Sequence, residues 1–106
     1  MVSDFIIVLV SCKSARQAAT ISDSLLRDHL TACANIISGV KSKYRWKGRI
    51  ESSSEVLVML KARRSRFKQL ERRIKEFHSY DVPEIIAIPI VAGSKDYMKW
   101  MGESLK

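Results

Sequence analysis

The chain has 106 residues, of which 46% are hydrophobic, and 19 basic against 11 acidic residues give a formal net charge of +8. This length suits a single hydrophobic core, so we predict one domain over residues 1–106. No apolar run reaches the roughly 18 residues that cross a bilayer, and the first residues lack the basic region of a signal peptide. These features favour a cytoplasmic protein without a membrane partner.

The positive charge raises nucleic acid as a partner, because cationic surfaces gain affinity by releasing phosphate counterions. Many of the basic residues, however, fall between Lys61 and Lys75, where apolar residues recur at helical spacing. This pattern is typical of the solvated face of a helix. No RNP-type aromatic run, zinc finger or helix-turn-helix pair accompanies it. The pattern therefore argues against a nucleic-acid-binding protein.

The only two cysteines, Cys12 and Cys33, are 21 residues apart. No CxxC spacing exists, so we expect free thiols in a reducing compartment rather than a disulfide or a metal thiolate site. Cys33 is predicted to be a small buried residue at the start of a strand.

The first elements follow from apolar spacing. Phe5 to Val10 is a continuous apolar run, which is typical of a strand covered on both faces. Apolar and small residues from Ala15 to His29 then recur at helical spacing, and Ser14 can cap that helix.

Three runs then predict two long strands: Ala32 to Ile37, Val40 to Trp46 and Ile50 to Leu60. Lys47-Gly48 is a two-residue hairpin signal, since Gly supplies the positive φ that such a turn needs. At about 3.3 Å per residue each arm reaches roughly 40 Å. A domain of this length has a radius of gyration of only about 13 Å. The hairpin tip is therefore expected to project and to be covered by another copy of the chain.

The last third predicts a helix, a strand and a short helix. Apolar residues spaced three, four and three apart predict a helix, with Ser65 as a possible start and an end near His78-Ser79. These apolar residues are Phe67, Leu70, Ile74 and Phe77. Glu84 to Val91 is strand-like, and Pro89 within it favours an edge position. Tyr97, Trp100 and Met101 indicate a terminal amphipathic helix.

The order β-α-β-β-α-β-α predicts an α+β protein of the ferredoxin-like, split βαβ kind. Both helices then pack on one face of a four-stranded sheet. The predicted strands are nevertheless apolar on both alternating sets of positions. A single subunit would expose a large apolar patch, which favours a homo-oligomer.

Along the first hairpin arm, apolar and aromatic residues alternate with cations. Tyr44 and Trp46 lie on one face, and Lys43, Arg45 and Lys47 lie on the other. Packing against a neighbouring subunit is the favoured role of the two aromatic residues, and a ligand-stacking pocket is the alternative.

The segments Thr31-Ala-Cys-Ala-Asn-Ile-Ile-Ser-Gly-Val40 and Ser42-Lys-Tyr-Arg-Trp-Lys-Gly-Arg-Ile-Glu51 resemble the CutA family of divalent-cation tolerance proteins. His78-Ser-Tyr-Asp-Val-Pro-Glu-Ile-Ile-Ala-Ile-Pro-Ile90 and Tyr97-Met-Lys-Trp-Met101 match the same family. The resemblance covers nearly the whole chain, from about Ile7 to Leu105.

The resemblance implies a ferredoxin-like subunit in a tight homotrimer like that of the PII signalling proteins, with hairpins exchanged between neighbours. It also implies a role in tolerance of copper and other divalent metals, or in small-ligand binding at intersubunit clefts. Candidate cleft or interface residues are Tyr44, Trp46, Lys61, Tyr80 and Trp100, with Lys61 as a possible anion contact.

Copper-associated bacterial members use a Cys that ends the first strand, a His before the His-Pro-Tyr motif and the Glu of Pro-Glu. The first two positions carry Val10 and Phe77 in this chain, and only Glu84 is retained. His78 and Glu84 thus remain as candidate ligands of a weak divalent site. The alternatives are that His78 interacts with the last carbonyls of its helix and that Glu84 pairs with a basic residue of another subunit.

No Gly-rich phosphate loop, HExxH or Gly-x-Ser-x-Gly motif is present, so we do not expect an enzyme. The favoured function is a homotrimeric protein of the divalent-metal response, without a certain cofactor. The alternative is a trimeric scaffold or signalling protein whose basic surface binds an acidic partner or nucleic acid.

Overall fold

A computed structural model describes residues 4–106; residues 1–3, which belong to the start considered for a signal peptide, lie outside it. The elements are β1 (Phe5–Cys12), α1 (Ala15–Arg27), β2 (Cys33–Trp46), β3 (Arg49–Arg63), a short 3-10 turn (Arg64–Arg66), α2 (Phe67–Phe77), β4 (Ile85–Pro89) and α3 (Lys95–Ser104). None of the helices in the described part of the chain is both long and apolar enough to cross a membrane.

The four strands form one antiparallel sheet in the order β2-β3-β1-β4. This order and the alternation of helices and strands confirm the predicted ferredoxin-like arrangement. Pro89 lies in β4 at the edge of the sheet, as expected, because a proline there removes no hydrogen bond from a central strand.

The core lies between the sheet and the helices α1 and α2. Alternate residues of β1 and β3 are fully buried there, and Ile21, Leu25, Leu70 and Ile74 complete the core from the helices. Ser14 caps α1 as predicted, since its hydroxyl accepts a hydrogen bond from the Gln17 backbone N–H at 3.1 Å.

Two helix boundaries differ from prediction. Helix α1 ends at Arg27, and His29 lies beyond it with a φ of 58°, so His29 does not continue the apolar helix face. Ser65 does not cap α2: it lies in the 3-10 turn, and its backbone N–H donates to Asp4 Oδ1 at 3.3 Å. The tertiary contact with Asp4 prevails over a local cap.

The long hairpin is confirmed. Lys47 and Gly48 both have positive φ, 49° and 76°, as a two-residue hairpin turn requires. Strand β1 pairs with β3 only from Val56 to Arg63, so the tip half of the hairpin extends beyond the rest of the sheet. The subunit is accordingly 44 Å long and about 25 Å in its other two dimensions.

Candidate functional site

The sheet face opposite α1 and α2, which α3 covers only at the end near Phe5, carries the side chains Ile7, Leu9, Leu57, Met59, Ile37, Ile86 and Ile88. We call this set the open face. Ile37, Ile86 and Ile88 are 43%, 50% and 48% exposed, whereas the open-face residues of β1 and β3 are half-buried. This arrangement agrees with the predicted apolar patch.

A β-bulge connects the open face to the aromatic face of the hairpin. The β2–β3 register shifts between Ile37 and Val40, and Gly39 takes a φ of 77° there. Because side chains alternate between faces, one extra residue moves the even-numbered Tyr44 and Trp46 onto the same face as the odd-numbered Ile37. The aromatic side chains therefore continue the open face along the projecting hairpin.

A surface cavity of about 530 Å³ lies where the hairpin leaves the sheet. We call it the hairpin cavity. It is lined by Ser11, Ser42, Lys43, Tyr44, Trp46, Glu55, Tyr80, Asp81, Val82 and Glu84.

Glu55 is the buried acid of this cavity, with only 8% of its surface exposed. The Tyr80 hydroxyl donates to Glu55 Oε2 at 2.8 Å. Burial first, and then this hydrogen bond and the negative charge of Glu55, raise the pKa of Tyr80 to about 12. Tyr80 is therefore a neutral donor at physiological pH and connects the α2–β4 loop to β3.

Glu84 and His78 are connected to Ser11, at the end of β1. The Ser11 hydroxyl donates to Glu84 Oε1 at 2.8 Å. His78 Nε2 lies 2.6 Å from the Ser11 carbonyl oxygen, and the Tyr80 backbone N–H donates to His78 Nδ1 at 3.2 Å. These partners assign the proton to Nε2 and the acceptor lone pair to Nδ1.

His78 therefore does not interact with the last carbonyls of α2, contrary to that alternative. The Phe77 carbonyl oxygen accepts instead from Gln17 Nε2 at 3.5 Å. A metal ion could bind His78 only if one of its two hydrogen bonds broke. Within residues 4–106, no group of three or more His, Cys, Asp or Glu side chains could hold a metal ion. Residues 4–106 of one subunit thus do not form a complete copper site by themselves.

Lys61 and Trp100 lie away from the hairpin cavity. Lys61 Nζ donates to Asn35 Oδ1 and lies 4.0 Å from Cys33 Sγ. Lys61 and Glu55 are six residues apart on one strand, which corresponds to about 20 Å. Trp100 packs against Tyr97 on α3, with ring centroids 5.4 Å apart, and is 46% exposed. The predicted cleft residues therefore divide into two separate groups.

Both cysteines are free thiols. Cys12 lies in the core, where burial, and secondarily the charge of Glu55, raise its pKa to about 11. It is thus a protonated, unreactive thiol at neutral pH. Cys33 begins β2 as predicted but is half-buried rather than buried, because it lies on the sheet face that α1 and α2 do not cover.

Sequence reasoning missed Glu55 and Ser11. Glu55 lies where the polar half of the run Ile50 to Leu60 meets its apolar half, and an acid at that junction was the available signal. Ser11 gave no signal, since its importance depends on Glu84, which is 73 residues away in the chain.

The fold and this cavity define a class of small ferredoxin-like proteins with an open apolar sheet face and a projecting hairpin. Residues 6–104 match the family described as CutA1 divalent ion tolerance protein. The chain belongs to the CutA family.

Relatives agree with this assignment. The chain is 39% identical over 98 residues to the divalent-cation tolerance protein CutA of Thermus thermophilus, covering 92% of this chain and 95% of the relative. It is 37% identical to the chloroplastic protein CutA of Arabidopsis thaliana, but spans only 56% of that longer protein. A solved structure of the divalent cation tolerance protein (Cut A1) from Thermus thermophilus superposes with a TM-score of 0.93 at 37% identity, covering 96% of this chain and 99% of that one.

Proposed function

We propose that this chain acts as a non-enzymatic homotrimer in the cellular response to divalent cations. The names of its relatives supply the divalent-cation tolerance in this proposal. The open face is the observation that carries the proposal. Three isoleucines of 43–50% exposure adjoin half-buried leucines and a methionine on one continuous surface. Burying such a surface contributes roughly 25 cal/mol per Å², which favours assembly against the entropy lost on association.

The hairpin supports the same proposal. Tyr44 and Trp46 are each 43% exposed, although they project from a segment that has no neighbouring strand beyond its own two arms. Aromatic residues of this size bury well at interfaces. A second copy packed against the hairpin would cover them.

The two surfaces also suggest a ring. The hairpin of one subunit and the open face or β4 edge of another are different surfaces, and repeated contacts between different surfaces close into a ring when the rotation permits. Three subunits is the number that the resemblance implies.

Sedimentation at micromolar concentration tests the assembly. We expect three times the subunit mass of 12.1 kDa. Ile88→Lys places a charge on the open face and should lower the mass, whereas the matched variant Ile50→Lys, at a 71% exposed position opposite Arg45, should not. A single-subunit mass for the unaltered protein would contradict the trimer.

Trp46→Ala tests the role of the hairpin aromatics. It should lower the melting temperature and weaken the assembly, because folding is coupled to association. If both mass and melting temperature stay unchanged, Trp46 does not form an interface.

Glu84 is the carboxylate that we propose to take part in any direct divalent-ion binding, with His78 or groups of another subunit completing the site. Titration calorimetry with Cu(II) and Zn(II) tests this. A defined stoichiometry that Glu84→Gln abolishes, and that Glu103→Gln on α3 leaves intact, supports direct binding. Binding that survives Glu84→Gln assigns the metal to other ligands, whereas the absence of a defined stoichiometry in the unaltered protein would contradict direct binding.

A polyanion-binding scaffold is the second candidate function. Lys41, Lys43 and Arg45 share one face of β2, opposite Ser54, Ser52 and Ile50 of β3. No ion pair engages these three cations within residues 4–106. Steeply salt-dependent binding of an oligonucleotide that is lost in Lys43→Gln would favour this function.

A further inference from the structure

The hairpin cavity has a local charge opposite to that of the whole protein. Three carboxylates line it, Glu55, Asp81 and Glu84, against one cation, Lys43. Strand alternation places the Lys43 side chain on the other face of β2 from Tyr44. In a chain of net charge +8, this cavity is a concentrated acidic site.

Two of these carboxylates keep one acceptor oxygen available. The Tyr80 hydroxyl donates a hydrogen bond to Glu55 Oε2, and the Ser11 hydroxyl donates one to Glu84 Oε1. Among the described residues, 4–106, no donor lies within hydrogen-bond distance of Glu55 Oε1 or Glu84 Oε2. Glu55 is more than nine-tenths buried, and its free oxygen is open to the cavity, because Ser22 Oγ is the one buried side-chain N or O atom without a partner among the described residues. No cation among residues 4–106 forms an ion pair with Glu55, Asp81 or Glu84.

The other walls of the cavity are aromatic. Tyr44 and Trp46 lie two residues apart on one face of β2, and Tyr80 contributes a third ring from the α2–β4 loop. The Tyr44 hydroxyl lies 3.3 Å from Ser53 Oγ, which holds this ring along the hairpin. Aromatic faces attract organic cations, and tryptophan does so most strongly.

We propose that the hairpin cavity binds an organic cation that carries a guanidinium group. The planar fork of a guanidinium donates several hydrogen bonds to carboxylates and stacks on aromatic rings at the same time. The two available oxygens supply the acceptors, and the Tyr44 and Trp46 rings supply the stacking surface. A hydrated divalent ion would use the carboxylates but not the rings.

Binding of a guanidinium group does not depend on the metal role of the protein, and the group can come from two sources. The guanidinium belongs either to a free small molecule or to an arginine side chain of another copy. A volume of about 530 Å³ accommodates either.

Titration calorimetry of the full chain with butylguanidinium, and with butylurea as the neutral probe of the same shape, tests the proposal. We expect butylguanidinium to bind at least about tenfold more tightly than butylurea, because only the former is a charged donor. Glu55→Gln and Glu84→Gln should each weaken its binding by about tenfold or more. Glu103→Gln, which removes the same charge on α3, should change it by less than about twofold.

Trp46→Leu gives a second line of test that removes the stacking surface without touching a carboxylate. We expect weaker butylguanidinium binding with a retained circular-dichroism spectrum. Glu55→Gln is measured by the same spectrum, so that a loss of fold is not mistaken for a loss of binding.

Three outcomes would overturn the proposal: no binding of butylguanidinium, equal affinity for butylurea, or undiminished affinity in both Glu84→Gln and Trp46→Leu. Sedimentation with and without butylguanidinium then separates the sources. An unchanged mass supports a free ligand, and a lower mass supports displacement of an arginine of another copy. A failed Cu(II) titration with successful butylguanidinium binding would contradict direct metal binding and leave this inference standing.

Discussion

The two faces of the sheet carry similar apolar residues, but the residues of one face are buried within the subunit and those of the other are partly exposed. On the helix face, Val8, Val58 and Leu60 are fully buried by α1 and α2. On the open face, Ile86 and Ile88 of β4 keep about half of their surface exposed. The chain buries one apolar surface by itself and leaves the other exposed. The hydrophobicity of a strand residue therefore does not show whether a helix of the same chain covers that residue.

Leu60 and Leu57 give the sharpest comparison, since they lie on one strand and on opposite faces. Leu60→Ala should lower the free energy of unfolding by about 2–5 kcal/mol, because it leaves a cavity in a closed core. Leu57→Ala should approach this cost only where another copy covers the open face. Denaturant unfolding of both variants at high and low protein concentration measures the difference.

The concentration dependence makes the comparison decisive. The cost of Leu57→Ala should fall on dilution as the assembly dissociates. A cost below about 1 kcal/mol at high concentration would contradict burial of the open face.

Cys12, which is buried on the helix face, should make the stability of the protein depend on pH. Its pKa is raised from 9.0 to about 11 in the folded state, so between these values the folded protein keeps a proton that the unfolded chain loses. Stability contributed by this thiol is therefore present below pH 9 and lost as the pH rises to about 11. The expected loss is about 2–3 kcal/mol.

Denaturant unfolding at pH 8 and pH 11 measures this loss. Cys12→Ala should reduce the difference between the two pH values, whatever its own stability, and Cys33→Ala controls for removal of a sulfur atom outside the core. An unchanged difference in Cys12→Ala would show that the thiol is not the titrating group.

Gly39 tests the connection between the open face and the hairpin. A Cβ at this position meets no atom within 4 Å, so Gly39→Ala is penalised only by its φ of 77°. The expected loss of unfolding free energy is about 1–2 kcal/mol, and Asn, which tolerates this region better, should lose less.

Gly102 is the matched control for Gly39. It lies in α3, where a Cβ would make ordinary contacts at 3.6 Å with Arg63 and Phe5, so Gly102→Ala should be neutral or stabilising. Equal losses for the two alanine variants, measured by denaturant unfolding, would contradict a specific requirement at the bulge.

Much of the fold follows from local patterns. The apolar run of β1, the Ser14 cap, the Lys47-Gly48 turn and the edge position of Pro89 each depend on chemistry within a few residues, and each is confirmed. The predictions that Ser65 starts α2 and that His29 continues α1 were wrong. Ser65 bonds instead to the distant residue Asp4, and His29 takes a positive φ beyond the end of α1.

The site was less predictable. Alternation placed Tyr44 and Trp46 together, and the family motif pointed to Tyr80 and Glu84. Glu55 and Ser11 complete the cavity from β3 and β1, and no spacing along the chain connects them to the loop that they hold.

The sequence by itself determined the order of elements, the length of the hairpin and the existence of a second apolar surface, because periodicity and turn chemistry are local properties. Only the tertiary structure decided that the bulge at Gly39 brings Tyr44 and Trp46 into line with the open face. It also decided that Glu55 is buried beside Tyr80 while Lys61 lies elsewhere. These facts depend on strand register and on contacts between distant segments, and a shift of one residue reverses the face on which every side chain lies.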